Sequence, residues 1–241
     1  MTRWTADRIP PQSGRTVIVT GANSGIGRVT AAALVRKGAR VILAVRDEDR
    51  GRRAAADMHG EVEVWPLDLA NLTSVREFAE KWQQPVDVLV NNAGIMAVPE
   101  GRTSDGFELQ FATNHLGPFA LTNLLLPQIT DRVVTVSSGA HRMGGLDIDD
   151  LNWHRRRYRP WRAYGQTKLA NLLFTLELEL RMEADHSAVR AYAAHPGYAA
   201  TNLQGRTGNR IGDRMVKVAN KLIAQTEDMG ALPILFAATQ E

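Results

Sequence analysis

The sequence predicts a doubly wound α/β fold: a parallel sheet between two helical layers, three-layer α/β/α. Three observations carry this prediction. Short β-branched runs recur along the chain, helix-length segments separate them, and a glycine-rich turn joins the first run to the first helical segment. Strands alternating with helices imply βαβ units and hence a parallel sheet. Six such strands make two βαβαβ halves, the doubly wound plan.

The elements follow in order. Met1 to Gly14 is polar, holds Pro10-Pro11 and has no apolar core, so it reads as a surface lead-in and not as a secretory signal. The first strand is Thr16–Thr20, followed by a helix over Gly27–Lys37 with Gly38 as its C-terminal cap. Strands over Val41–Val45 and Val62–Leu67 precede helices over Asp49–Met58 and Ser74–Trp82. The fourth strand, Val86–Val90, leads to a long helical pattern over Phe107–Leu126, disturbed at Gly117-Pro118. The fifth strand, Val133–Ser137, precedes a helix over Arg162–Arg181, and Val189–His195 is the sixth strand. Several of these runs are apolar almost throughout, as expected of strands covered on both faces. A last helical pattern spans Thr226 to Thr239. Nothing resembling a linker interrupts the chain, so residues 1–241 read as one domain. Two irregular segments, Met143–Trp161 and Tyr198–Asp213, follow strand ends on the side where open α/β sheets bind ligands. Both are candidate substrate walls.

Composition narrows the function classes. With no cysteine, a disulfide framework, an iron–sulfur centre, a Cys-ligated zinc and a Cys nucleophile are excluded together. The same fact fits a reducing compartment, and a cytoplasmic location is expected. A net charge of +3 and a pI near 9.4 admit anionic ligands. They fall short of the dense basic stripe of a nucleic-acid binder, so no nucleic-acid partner is expected. Apolar runs such as Leu124-Leu125-Leu126 end at Pro127, far below the ~20 residues of a membrane span. No metal site is expected. The expected partner is a small molecule, and a homo-oligomer is compatible with the sequence.

The chemistry gathers at strand ends. Thr20-Gly21-Ala22-Asn23-Ser24-Gly25-Ile26-Gly27 spaces its glycines G-x-x-x-G-x-G. Glycine turns the chain sharply and lets a pyrophosphate approach the backbone. The helix N-terminus adds unpaired N–H groups and a positive dipole end. Arg46 ends the second strand, where dinucleotide folds read the adenosine ribose; an Arg there accommodates a 2′-phosphate. That favours NADP(H) over NAD(H). The competing reading pairs Arg46 with Asp47, Glu48 or Asp49 on the surface. Asp68-Leu69 ends the third strand, and Asp68 either accepts from an adenine amino group or caps the next helix. Asn91-Asn92-Ala93-Gly94 ends the fourth, with small residues for a cofactor to lie against and amides to tie neighbouring strands together.

Tyr164 and Lys168 lie four apart on a helical pattern and so share one face. A free Tyr titrates near pH ~10, and a nearby ammonium favours the phenolate. Ser138, after the fifth strand, offers a hydroxyl to a substrate oxygen. Asn114, inside the disturbed helix, either bonds a freed carbonyl or holds a water. His115 and His195 lack an evident Ser–acid partner. Trp153, Trp161 and Tyr198 either line an apolar site or pack their loops. Arg155-Arg156-Arg157 reads as a solvated face, with attraction of an acidic substrate as the alternative.

These motifs resemble the short-chain dehydrogenase/reductase family, which has a Rossmann-type fold. The resemblance rests on TGANSGIG (Thr20–Gly27), Asp68-Leu69, NNAG (Asn91–Gly94), Asn114, Ser138, YGQTK (Tyr164–Lys168) and Pro196-Gly197 with Thr201, in family order over nearly the whole chain. TNHLGPFALTNLLLP and YGQTKLANLLFTLEL are similar to the branch of retinol dehydrogenases, the WW-domain oxidoreductase and protochlorophyllide reductase. The resemblance implies an NADP(H)-dependent oxidoreductase of a carbonyl/alcohol pair, with an apolar or aromatic substrate such as a retinoid, steroid-like or xenobiotic carbonyl. In it Tyr164 is the acid/base, Lys168 lowers its pKa and binds the nicotinamide ribose, Ser138 orients the substrate, and Asn114 holds a relay water. Gly21, Asn23, Ser24, Gly25, Ile26, Gly27, Arg46, Asp68, Leu69, Asn91, Ala93 and Gly94 form the cofactor trough, and Pro196, Gly197 and Thr201 meet the nicotinamide end. Two departures stand out. Gly165 replaces a frequent Ser and is expected to loosen the helix bearing Tyr164. The sequence also ends at Glu241, where family members continue into a seventh strand, so that strand is expected to be missing. The alternative function is a catalytically weak or inactive cofactor-binding regulator of the same fold.

Overall fold

The computed structural model describes residues 4–197 and 226–240. Tyr198, Thr201 and the segment Tyr198–Asp213 lie outside the described residues. Six strands form one parallel sheet in the order β3-β2-β1-β4-β5-β6: β1 (Thr16–Thr20), β2 (Arg40–Val45), β3 (Val62–Pro66), β4 (Val86–Asn91), β5 (Ile129–Val136) and β6 (Arg190–Ala194). Among the described residues no strand lies beyond β6. The order reverses direction between β1 and β4, which opens the crevice of a doubly wound sheet at their carboxyl ends.

Side chains alternate along each strand and feed two cores. Val17, Val19, Val41, Leu43, Val88 and Val90 pack on one face, with α1 (Gly25–Arg36), α2 (Glu48–Ala56) and α7 (Glu227–Thr239). Ile18, Ile42, Leu89 and Val133 pack on the other, with α3 (Leu72–Lys81), α5 (Gly117–Leu125) and α6 (Pro160–Ala184). This is the three-layer arrangement expected from runs that are apolar on both faces.

Local chemistry sets the helix boundaries. Asp47 caps α2 by accepting from the Arg50 N–H, and Asn71 caps α3 by accepting from the Thr73 and Ser74 N–H groups. Gly38 closes α1 with φ +93° and its N–H on the Val35 carbonyl, as its position in the sequence suggested. The long helical pattern over Phe107–Leu126 is broken. A short α4 (Leu109–Phe111) runs into a π turn over Ala112–Leu116, and α5 follows. The Gly117 N–H reaches back to the Ala112 carbonyl, five residues away. Strand β5 begins at Ile129, earlier than the apolar run implies, because Ile129 pairs with Val86 and Arg132 with Val88 across a register shift that carries the polar Thr130 and Asp131.

Candidate active site

Parallel strands bring the predicted residues to one end of the sheet. Gly21 follows β1 with φ +67°, and a Cβ there would lie 2.9 Å from the Ala93 Cα. Only glycine permits both the turn and that approach. Asn23 and Ser24 are half-buried, while Gly25, Ile26 and Gly27 are buried in the first turn of α1. The Ser24 side chain makes no cap bond, and that turn holds no acidic residue. Its amides therefore face the crevice with a positive dipole end.

The β1 and β4 ends are laced together. The Thr20 hydroxyl accepts from the Asn92 and Ala93 N–H groups, each at 3.0 Å, and Asn92 Nδ2 donates to the Thr20 carbonyl at 2.9 Å. Asn91 turns elsewhere: it is buried, and its Nδ2 donates to Thr122 Oγ1 on α5 at 2.8 Å. Asp68 is half-buried and accepts from the Ala70 N–H at 3.0 Å, so its carboxylate shapes a turn while Asn71 caps the helix. Leu69 is buried in the core beside it.

Arg46 is exposed at the end of β2. The acids proposed as its partners are engaged elsewhere: Asp47 caps α2, and Glu48 and Asp49 both pair with Arg52. Among the described residues Arg46 has no ion pair.

The second half of the sheet carries the acid–base cluster. Tyr164 is buried, and burial pushes its phenol up, with the nearby Ser138 hydroxyl drawing it partly back. The lowering by Lys168 expected from spacing is not what this arrangement gives. Lys168 Nζ lies 5.6 Å from the Tyr164 ring centre and donates to the Val136 carbonyl at 2.9 Å. Burial lowers Lys168 to about 8. Ser138 caps the short 3-10 turn Gly139–Met143, accepting from the Ala140 N–H at 3.2 Å.

Asn114 sits in the π turn, 1% exposed. Its Oδ1 accepts from the Ile95 N–H at 2.8 Å, and its Nδ2 donates to the Ile95 carbonyl at 2.8 Å and to Thr167 Oγ1 at 3.1 Å. Both amide protons are thus committed to protein. The carbonyl it bonds belongs to the loop after β4 and is not one freed by the disturbed helix. Gly94 sits above this group, its Cβ position 3.2 Å from Asn114 Oδ1 and 3.8 Å from Lys168 Nζ. Pro196 and Gly197 follow β6, where Gly197 has φ +68°.

Other candidates separate clearly. His115 Nδ1 meets Asn171 Oδ1 at 3.1 Å, and its ring lies among Phe111, Phe119 and Phe174; burial pushes its pKa down. His195 accepts from the Gly197 N–H. Trp153 is buried beneath Arg156, whose guanidinium carbon lies 4.1 Å from its ring centre, so it packs its own loop. Arg156 also pairs with Asp150 at 3.1 Å. Burial pushes Asp150 up, but the Arg155, Arg156 and His154 N–H groups and the Arg156 side chain outweigh it and hold the carboxyl at about 2. Arg155 and Arg157 are exposed. Trp161 stays half-open and meets the Tyr164 ring edge-on at 6.4 Å.

Two supporting residues were not singled out in the sequence. Ser137 Oγ donates to the Lys168 carbonyl at 2.8 Å, and Asn171 Nδ2 donates to the Val136 carbonyl at 3.3 Å. Asn171 lies three residues after Lys168 and so on its helix face, which is the signal that points to it.

Fold and site define a dinucleotide-binding α/β domain with a buried Tyr–Lys pair and a half-buried Ser138 at the carboxyl end of the sheet. The chain belongs to the short-chain dehydrogenase/reductase family: the short chain dehydrogenase model matches residues 15–211. Members act on alcohol/carbonyl groups with a nicotinamide cofactor. The chain is 44% identical to human retinol dehydrogenase 13 over 95% of its own length and 73% of that protein's. It is 45% identical to human retinol dehydrogenase 14 and 41% identical to mouse polyprenol dehydrogenase, over 79% and 95% of the chain and 63% and 73% of those proteins. It thus spans between 61% and 73% of the length of these relatives and of mouse retinol dehydrogenase 13. A crystal structure of an uncharacterized protein from Mycobacterium paratuberculosis is similar at a TM-score of 0.87 and 55% identity, over 100% of this chain and 82% of that one. A gluconate 5-dehydrogenase structure from Beutenbergia cavernae with bound NADP is similar at a TM-score of 0.71 and 26% identity, over 95% and 92%. Among the described residues no helix is long and apolar enough to cross a membrane.

Proposed function

We propose that the chain is an NADP(H)-dependent oxidoreductase of a carbonyl/alcohol pair, with Tyr164 as the acid/base. The observation that carries this reading is the buried Tyr164, near Ser138 and one turn from Lys168 at the carboxyl end of the sheet. The uncapped first turn of α1 and the close Gly21–Ala93 approach fit a pyrophosphate, and the exposed Arg46, with no ion pair among the described residues, fits a 2′-phosphate. When bound, the nicotinamide supplies or accepts the hydride. Burial keeps Tyr164 protonated at neutral pH, so in carbonyl reduction its hydroxyl gives a proton to the substrate oxygen. Ser138 orients that oxygen by hydrogen bonding, and in alcohol oxidation the ionised phenolate of Tyr164 takes the proton from the alcohol oxygen. Lys168 supplies positive charge beneath the ring when protonated. The half-open Trp161 beside Tyr164, together with relatives named for retinol and polyprenol, supports an apolar substrate.

The test is NADPH oxidation over a carbonyl panel that includes all-trans-retinal and benzaldehyde. Turnover is expected in the wild type, and Tyr164→Phe lowers kcat about 10²–10⁴-fold with NADPH affinity unchanged. Wild-type rates in the variant would remove Tyr164 from the acid/base role. NADPH binding with no turnover on any carbonyl or alcohol would favour the regulator reading.

A further inference from the structure

A buried polar knot stands beside the acid–base cluster. Glu108 is 1% exposed and Gln110 is fully buried. Glu108 accepts from the Gln110 N–H at 2.9 Å and the Phe111 N–H at 2.6 Å. Gln110 Oε1 accepts from the Ala97 N–H at 2.7 Å, and its Nε2 donates to Tyr158 Oη at 2.7 Å and to the Pro160 carbonyl at 3.0 Å. Tyr158 has a single hydroxyl proton, with Glu108 Oε1 at 3.0 Å and the Val98 carbonyl at 3.2 Å as its acceptors.

Three segments far apart in sequence meet here: the loop after β4, the start of α4, and the residues leading into α6. The loop is held in a costly shape, since Ala97 has φ +51°. A non-glycine residue stays there only where its surroundings over-determine it, and such positions cluster at functional sites. The ties to α6 fall on both sides of Tyr164. Gln110 and Tyr158 hold the loop to Pro160, the first residue of α6, while Asn114 holds Ile95 and also donates to Thr167. Tyr164 lies between these anchors, and the loop they fix runs on from Gly94, above Asn114 and Lys168.

We propose that Tyr158 is a positioning residue: with Gln110 and Glu108 it locks the Ile95–Val98 loop against the first turn of α6 and so fixes Tyr164 relative to the substrate side of the crevice. The proposal rests on the oxidoreductase reading above. Small misplacements remote from the chemistry cost up to about 10²-fold in rate.

The test is Tyr158→Phe, which removes one oxygen from the knot. Two quantities are read: steady-state kinetics with NADPH and benzaldehyde or all-trans-retinal, and hydrogen exchange at the Ile95 and Ala97 amides. Expected are a fall in kcat of about tenfold or more, NADPH affinity within about twofold of wild type, and exchange faster by about tenfold. Faster exchange with kcat and KM unchanged would reduce the knot to a structural tie and overturn the proposal. Unchanged exchange would overturn it whether or not a substrate is turned over, whereas absence of turnover in the wild type would strike the oxidoreductase reading. Should Tyr158→Phe fail to fold, Gln110→Met removes the Ala97 and Pro160 ties at similar volume and is read the same way.

Discussion

Arg46 and Lys168 are the single side chains on which the proposed cofactor choice and the pH response can be tested. The sequence left two partners for Arg46, and the structure engages the acidic one elsewhere: Asp47 caps α2, while Arg52 takes Glu48 and Asp49. A guanidinium bond to a 2′-phosphate contributes about 1.5–3 kcal/mol, so Arg46→Ala should weaken NADPH binding about 10–100-fold and barely alter NADH. Fluorescence titration of both cofactors checks this, and wild-type protein that binds NADH as tightly as NADPH would refute it. Lys168 gives the pH prediction. Its folded-state pKa is lowered to about 8 by burial, from an ordinary value of 10.5. Between those values the unfolded chain binds more protons, so this group adds stability as pH rises through that window. Below pH 8 the cost of holding a buried ammonium is fully present. Lys168→Met removes that cost, so its stability relative to wild type should be greatest near neutral pH and shrink from pH 8 to 10.5. Urea midpoints of both proteins across that range measure the difference, and a constant gap would contradict the burial argument.

Helix α6 corrects an expectation drawn from propensity. Gly165 was expected to loosen the segment holding Tyr164, since glycine in a helix costs about 1 kcal/mol relative to Ala. The helix instead runs unbroken over Pro160–Ala184 with Gly165 buried. A Cβ on Gly165 would lie 2.7 Å from the Ala140 carbonyl oxygen and 2.9 Å from the Gly144 N. The missing side chain lets the 3-10 turn after Ser138 seat directly on the helix. Gly165→Ala should therefore destabilise the protein, because overpacking of about 1–3 kcal/mol exceeds the propensity gain. It should also lower kcat through Ser138. Chemical denaturation gives the sign, and a stabilised variant would restore the propensity reading. The elements themselves were legible where periodicity is local: β1 matches its apolar run residue for residue, and α3 lies within two residues of its predicted ends. The π turn at Asn114 was not, because i→i+5 bonding leaves the apolar spacing almost unchanged while redirecting one side chain. Glu108, Gln110 and Tyr158 carried no local signal either, since their partners sit up to 60 residues away.

At the scale of the whole molecule, the helix that follows the glycine turn shares its core with a helix near the other end of the sequence. Helix α7 lies in the same core as α1, with Ala231, Ile234 and Ala238 at 0% exposure and Leu235 at 1%. Arg132 on β5 donates to the Ala237 carbonyl at 3.1 Å and the Gln240 carbonyl at 2.6 Å, which satisfies carbonyls at the C-terminal end of α7 that the helix leaves unpaired. The doubly wound plan followed from the βαβ pattern and the glycine turn. The docking of α7 did not, because its apolar residues circle the helix and name no partner. Its packing implies that α7 stabilises the domain as a whole and not only its own segment. Leu235→Ala should cost about 2–5 kcal/mol, the range for a large-to-small change in a filled core. The denaturant midpoint should fall with an unchanged m-value, since a single cooperative core loses the same surface on unfolding. Saturating NADPH should then stabilise wild type and variant by equal free energies, because a ligand bound to an intact native state contributes through its affinity alone. A smaller increment in the variant would show that the loss of packing reaches the glycine turn through α1. A fall in m-value would show α7 unfolding apart from the sheet.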